Sequence, residues 1–304
     1  MKKLLLLIAM LGCLQVSARV KGDINGDGKV DVADLNIIIN GILGKDPYYY
    51  YTDVNLDGIT DVSDLNIVIN IILGKDKDHE YVDLGLPSGT LWATCNVGAN
   101  EPNEYGLYFA WGETKGYANG EPHDFSWANY KWMTPGKSSW EYLTKYTFED
   151  GIKTGKWYNG DTYVGTTVNG VTYKNLKELL PEDDAATVNW GPEWRMPSGK
   201  DVEELIDPRY TTISGGSWFG VYGRWITSIS NGKSIFLPSA SIRYDSPTIG
   251  NHESNRVYYM TRDLMSTIYS RNLAYVFGEF NAFSQMDRYP GKPVRAVRVE
   301  KAKR

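Results

Sequence analysis

The sequence predicts a multidomain α+β protein: a small all-α segment near the N-terminus, then a larger β-rich, loop-rich domain with few helices. Two observations carry this reading. Residues 23–46 recur as residues 53–76 with 17 of 24 positions identical, and the second half of each copy has helical apolar spacing. All ten Trp and all eight Phe lie beyond residue 90, where short runs alternate apolar and polar residues.

The chain has 304 residues, 42% hydrophobic and 23% charged, with a net charge of −5. That apolar fraction excludes wholesale disorder. The acidic balance argues against a non-specific nucleic-acid binder, so no nucleic-acid partner is expected. Two cysteines exclude a disulfide scaffold.

The first element, residues 1–18, reads as an export signal. Lys2 and Lys3 precede an apolar run, Leu4 to Leu14, that is too short to span a bilayer. Val16-Ser17-Ala18 is a small-residue cleavage site, which predicts a secreted or cell-surface protein cleaved after Ala18. Cys13 supplies a lipoprotein alternative. Cleavage after Ala18 leaves Cys95 alone, so no intramolecular disulfide remains. No later run is long enough to cross a membrane.

The repeat follows. Residues 22–78 hold eleven Asp, no Glu and four Lys, a net charge of −7. Each copy reads Asp-x-Asn-x-Asp-Gly, the start of a twelve-residue calcium loop. Copy one places Asp23, Asn25 and Asp27 at loop positions 1, 3 and 5, then Gly28 at the sharp turn. Lys29 at position 7 offers its backbone carbonyl, Asp31 stands at position 9 and Asp34 at position 12. Copy two repeats this with Asp53, Asn55, Asp57, Ile59, Asp61 and Asp64. Hard oxygen donors at this spacing suit Ca²⁺, whereas Zn²⁺ prefers Cys or His. Two Ca²⁺ ions would reduce the local charge to −3. Position 12 is Asp in both copies, where an EF-hand has a bidentate Glu, and the chain before loop one is too short for an incoming helix. The outgoing helices carry Leu35, Ile38, Ile39 and Ile42, then Leu65, Val68, Ile69 and Ile72, as apolar faces. Gly44 and Gly74 are their stop signals.

A calcium loop followed by one helix, doubled, with Asp at position 12, resembles a dockerin module. The resemblance implies two bound calcium ions and docking onto a cohesin-like or other surface protein, commonly in polysaccharide-degrading assemblies. It places the partner-reading pairs at loop positions 10 and 11, here Val32, Ala33, Val62 and Ser63. These are not the Ser/Thr pairs of many cohesin binders. A calcium-dependent structural spacer is the alternative for this segment.

The second domain, residues 80–304, has strand patterns at 91–97, 106–111, 224–229, 234–237, 257–260, 274–277 and 294–299. Residues 112–175 read as long loops and short hairpins. Ser198-Gly199-Lys200-Asp201 is a capping box opening a short helix with Val202, Leu205 and Ile206. The phrases Tyr81-Val-Asp-Leu-Gly-Leu-Pro-Ser-Gly89, Trp92-Ala-Thr-Cys-Asn-Val-Gly98, Tyr108-Phe-Ala-Trp-Gly-Glu113 and Trp194-Arg-Met-Pro-Ser198 resemble the FISUMP-type (major paralogous) domain of secreted bacterial proteins. The Trp-Arg-x-Pro phrase is also similar to formylglycine-generating enzymes, which implies a C-type-lectin-like fold. These resemblances imply no settled activity.

Catalytic signals are sparse. Cys95 sits in an apolar strand pattern and reads as a buried structural thiol. His79, His123 and His252 lack neighbours at metal-ligand spacing. Glu113, Glu203 and Glu204 match the carboxylate pair of a glycosidase by residue type alone. Glu101-Pro102-Asn103 copies a lectin sugar-binding tripeptide without its Trp-Asn-Asp companion. The expectation is therefore an exported docking protein, with no catalytic residue assigned, whose second domain binds glycan or protein. The alternative is a glycoside hydrolase tethered by its dockerin.

Overall fold

The structure, a computed structural model, describes residues 22–45, 52–54, 59–73, 79–244, 256–276 and 278–299. The export signal with Cys13, together with Asn55, Asp57, Gly74 and His252, lies outside these residues. The chain divides into two compact units, residues 1–77 and 78–304.

The first unit is two loop–helix repeats. Helix α1 runs Val32–Ile42 and α2 runs Val62–Ile72. Both start where the repeat puts an acidic cap. Asp31 and Asp61 take extended N-cap conformations, and each forms a reciprocal capping box with the Asp three residues on. Gly44 follows α1 at φ +66, the left-handed backbone that ends helices. The helices pack on each other around Ile24, Ile38 and Val68.

Leu35, Ile38, Leu65, Val68 and Ile72 of the expected faces lie in or against the core, and the departure is at the end of α1. Ile39 and Ile42 are exposed, while Asp34, Ile38 and Gly41 are buried on α1, and Asp64, Ile67 and Val68 on α2. The inward stripe is thus set by the position-12 Asp and continues one and two turns later. Thr52 and Thr60 lie beside Gly41, where a Cβ would make ordinary van der Waals contact with both at 3.6 Å. Those threonines hydrogen bond to each other at 2.8 Å.

The second unit is α+β, with short sheets and few helices. Its first sheet joins Tyr81–Asp83, Thr90–Ala93 and Val297–Val299, with Thr90–Ala93 in the middle and buried on both faces. The start and end of the unit are therefore paired. Two antiparallel meanders follow. One is Thr211–Trp218, Val221–Ser228 and Ser234–Pro238; the other is Val257–Leu264, Tyr269–Val276 and Glu279–Asp287. Helices α3, Ala185–Trp190, and α4, Gly199–Leu205, are short. Ser198 caps α4 through Asp201 as the sequence predicts. Residues 112–175 are loops with two-stranded hairpins.

The first long strand ends at Ala93, so Cys95 lies beyond it and is half-buried. Burial pushes its thiol pKa up, as for an unreactive cysteine. Strands Thr211–Trp218 and Glu279–Asp287 and helix α3 were not legible. The first strand holds two glycines, the second is polar at its exposed edge, and α3 is too short for a period to register.

A loop-rich core must satisfy many buried backbone carbonyls. Fully buried cations do this here. Arg288 donates to the carbonyls of Tyr146, Thr267 and Lys145, and to Tyr130 Oη. Arg243 donates to carbonyls at Tyr117, Ala118 and Glu121, and Arg295 to those at Ala93, Thr94 and Phe236. Lys292 donates to the Asp287 carbonyl at 3.2 Å.

Burial pushes the Lys292 pKa down to about 7. Its unfolded value lies higher, so between pH 7 and about 10 the unfolded chain binds the extra proton. Stability of this unit therefore rises with pH across that window. Lys292→Met is expected to abolish that slope, read as urea midpoints at pH 7 and 9; an unchanged slope would overturn the assignment.

Candidate functional site

Loop one is built by its own acidic side chains. Asp23 Oδ1 accepts from the backbone of Gly26 and Asp27, and its Oδ2 from Gly28. Asn25 Oδ1 accepts from Asp27 N, and Asp27 Oδ1 from Lys29 N. These bonds coil the loop so that positions 1, 3 and 5 follow one another around a single turn. Gly28 takes φ +85, where a side chain would be strained.

Asp34 closes the loop from the helix. Its Oδ1 accepts from Ile24 N at 2.7 Å and Asn25 N at 3.1 Å, and its Oδ2 from Asp31 N at 2.9 Å. It is fully buried and has no ion pair among the described residues. Asp31 is exposed and caps Ala33 N. Loop two repeats this wherever it is described. Asp64 accepts from Val54 N at 2.7 Å and Asp61 N at 2.9 Å, and Asp61 accepts from Ser63 N. Asp53 is half-buried and the Ile59 side chain is exposed. Asn55 and Asp57 lie outside the described residues.

The donor chemistry fits a hard divalent cation. Asp23, Asn25, Asp27, Asp34 and the Lys29 carbonyl are all oxygen donors within one twelve-residue loop. Each carboxylate offers about four lone-pair sites, and Asp34 spends three on backbone N–H groups. No group of three or more His, Cys, Asp or Glu converges as a metal site among the described residues. Asp23, Asp27 and Asp34 each turn a carboxylate oxygen onto the loop's backbone N–H groups.

Val32 and Val62 are exposed at 63% and 59%, and Ala33 and Ser63 are exposed beside them. The four therefore stand open in the first turn of each helix.

In the second unit the glycosidase candidates do not form a pair. Glu113 accepts from Lys131 N at 2.8 Å; burial raises its pKa against the opposing effect of Lys131. Glu203 pairs with Arg271, and Glu204 accepts from Ser88. No described contact joins Glu113 to either. His79 stacks on Trp190 at 3.7 Å and His123 on Tyr117 at 3.6 Å, both packing arrangements.

An aromatic sheet face was missed by the sequence reading. Trp218, Gly216, Ser214 and Thr212 lie opposite Val221, Gly223, Trp225 and Thr227. Gly223 leaves room for a ring. A Cβ at Gly223 would strike Phe236, and one at Gly216 would meet Trp225 at 3.7 Å. Trp218 lies 4.9 Å from Trp225 and stacks on Phe219 at 24°. Phe219 and Gly220 form the tip, both at positive φ, and Phe219 is 82% exposed. This is a type I′ pattern, which prefers Asn-Gly. The phrase Trp218-Phe-Gly-Val221 between alternating flanks was the available signal.

Residues 21–73 match the family model for the dockerin type I domain. Dockerin modules bind calcium and dock onto cohesins, and they are typical of extracellular or cell-surface proteins. No helix among the described residues is long and apolar enough to cross a membrane. No curated protein and no solved structure gives a significant match to the chain.

Proposed function

We propose that this is an exported adaptor in extracellular or cell-surface polysaccharide handling. Its dockerin module, residues 22–78, holds two Ca²⁺ ions and docks onto a cohesin-like or other surface protein. Its second domain, residues 80–304, binds glycan. Asp23, Asn25, Asp27, Asp31, Asp34 and the Lys29 carbonyl would hold one ion. Asp53, Asn55, Asp57, Asp61, Asp64 and the Ile59 carbonyl would hold the other. Bound calcium supplies positive charge that offsets the acidic loops and fixes the start of each helix. Val32, Ala33, Val62 and Ser63 would meet the partner, and their small, largely apolar surface favours a partner groove of similar character. The FISUMP-type and C-type-lectin-like resemblances belong to this reading, as does cleavage after Ala18.

The aromatic sheet face carries the glycan part. Sugar rings present apolar C–H faces between hydroxyl groups. The face offers Trp218 and Trp225, then a row of Thr212, Thr227 and Ser234, with no charged residue among them. Phe219 supports it further: a left-handed phenylalanine costs about 1–2 kcal/mol, and such strain concentrates at working sites.

The test uses the mature chain on insoluble neutral polysaccharides. Trp225→Ala is expected to cut retention about tenfold. Phe219→Asn is expected to raise stability by about 1 kcal/mol, because Asn suits the turn, yet to lower retention. Full retention by both variants would overturn the glycan reading. A calcium-dependent partner captured from envelope extract, and lost with Asp34→Asn and Asp64→Asn, tests the docking part; its absence leaves a calcium-held spacer. Of the hydrolase alternative's sequence candidates, Glu113 makes no described contact with Glu203 or Glu204, which are engaged by Arg271 and Ser88.

A further inference from the structure

The phrase Trp194-Arg-Met-Pro-Ser198 is not used by the aromatic face. It opens instead onto a cleft of about 450 Å³ on the same unit. Such a volume suits a small ligand. Five cations line it: Lys177, Arg195, Lys200, Arg262 and Arg271. Glu178 and Asp263 are the lining carboxylates. The lining is thus net positive in a chain whose net charge is −5.

The arginines are held from behind. Arg195 donates to both oxygens of Asp201, at 2.6 and 3.1 Å, and to the Met196 carbonyl. Arg271 pairs with Glu203 and donates to the Ala282 carbonyl at 2.8 Å. Its guanidinium lies against Gly199, where any Cβ would clash with it. Arg262 donates to the Leu179 carbonyl at 2.7 Å and lies 3.8 Å from Glu178, the lining carboxylate that partly neutralises it. Asp201 and Glu203 are not among the residues lining the cleft. One lining carboxylate is also engaged, since Asp263 accepts from Gly199 N.

Two ammonium groups remain uncommitted. Lys177 and Lys200 are exposed, and neither makes an ion pair among the described residues. Lys177 only rests over the Phe148 ring at 4.9 Å. A cleft with low-dielectric walls and a net positive lining concentrates anions. Fixed guanidinium forks with mobile ammonium groups beside them suit an oxyanion.

We infer that this cleft binds an oxyanion carried on a sugar, the carboxylate of a uronate or the sulfate of a sulfated sugar. The sugar part rests on the glycan reading above; the oxyanion part stands on the cleft alone. Lys177 and Lys200 supply the charge that the ligand neutralises. Arg195, Arg262 and Arg271 orient it.

The experiment titrates the mature chain with galacturonate and glucose 6-sulfate, against galactose and glucose, by ligand-observed NMR. At least one acidic sugar is expected to bind more tightly than its neutral counterpart, and which one does so identifies the oxyanion. Lys177→Ala and Lys200→Ala are each expected to weaken it about tenfold, and both groups are exposed, so the core is untouched. Raising NaCl from 50 to 500 mM is expected to weaken it further. Equal binding of acidic and neutral sugars, or wild-type affinity in the double lysine variant, would overturn the inference. The two readings fail separately. Lysine-dependent binding of acidic sugars without retention on any polysaccharide keeps the cleft and rejects the aromatic platform. Trp225-dependent retention without acidic preference does the reverse.

Discussion

Asp34→Ala is expected to abolish the calcium-dependent stability that loop one gives the first unit. The side chain is fully buried and accepts three backbone N–H groups, from Ile24, Asn25 and Asp31. Removing it orphans these donors, and each buried unsatisfied group costs about 1–3 kcal/mol. The surrounding core is small, with Ile24, Ile38 and Val68 at its centre, so the loss is a large fraction of what such a unit can hold. Calcium at 100 times its dissociation constant adds about 2.7 kcal/mol per site, and the variant would forfeit that too. Asp34→Asn should be nearly as damaging. One amide oxygen can still serve Ile24 and Asn25, but the NH₂ group then faces the Asp31 N–H. Asp31→Ala is expected to cost less: its exposed cap on Ala33 N is worth only about 1 kcal/mol, although the variant also withdraws the position-9 oxygen. Far-UV circular dichroism of the mature chain, with calcium or chelator, measures all three. A calcium-dependent melting shift of wild-type size in Asp34→Ala would refute the assignment.

Asp183→Ala is expected to destabilise the second unit by about 3–5 kcal/mol. Asp183 is almost fully buried, accepting from Lys145 Nζ at 2.6 Å, Tyr146 Oη at 2.6 Å and Lys131 Nζ at 2.9 Å. Lys145 is itself buried and would keep a charge with only exposed Glu182, at 3.6 Å, near it. Burial pushes the Asp183 carboxyl up, but the bonds from Lys145, Tyr146 and Lys131 outweigh it and hold the pKa below the usual range. A depressed carboxyl contributes stability that is present above the unfolded pKa and is lost as pH falls through the folded one. The wild type should therefore lose stability below about pH 4, and the variant should lack that component. Tryptophan fluorescence is the readout, because both lysines lie over the Trp132 ring. Adding Lys145→Met should recover much of the loss; no recovery would show that the unpaired ammonium is not its source.

Legibility followed the range of the forces involved. The sharp turn at Gly28 and the Gly44 stop depend on neighbours within a dozen residues, so spacing alone disclosed them. The Ser198–Asp201 box was legible for the same reason. The buried stripe at the end of α1 was not, because Ile39 and Ile38 are equally apolar. Which one turns inward depends on packing against Ile24 and Val68, and Ile38 is the one they cover. The aromatic face was hidden because Gly216 and Gly223 weaken a strand pattern. The value of Gly223 lies in a cross-strand approach that seats Phe236.

The sequence by itself determined a doubled acidic loop with a helix behind it, and an aromatic β-rich region after it. Local hydrogen bonding and donor chemistry settle such features before any distant contact forms. Tertiary structure alone decided which aromatics stand on the open sheet and which cations converge. Arg195, Arg262 and Arg271 come from three separate segments and meet only once α4 packs on the last meander. Convergence of that kind depends on packing between distant segments, and no spacing along the chain records it.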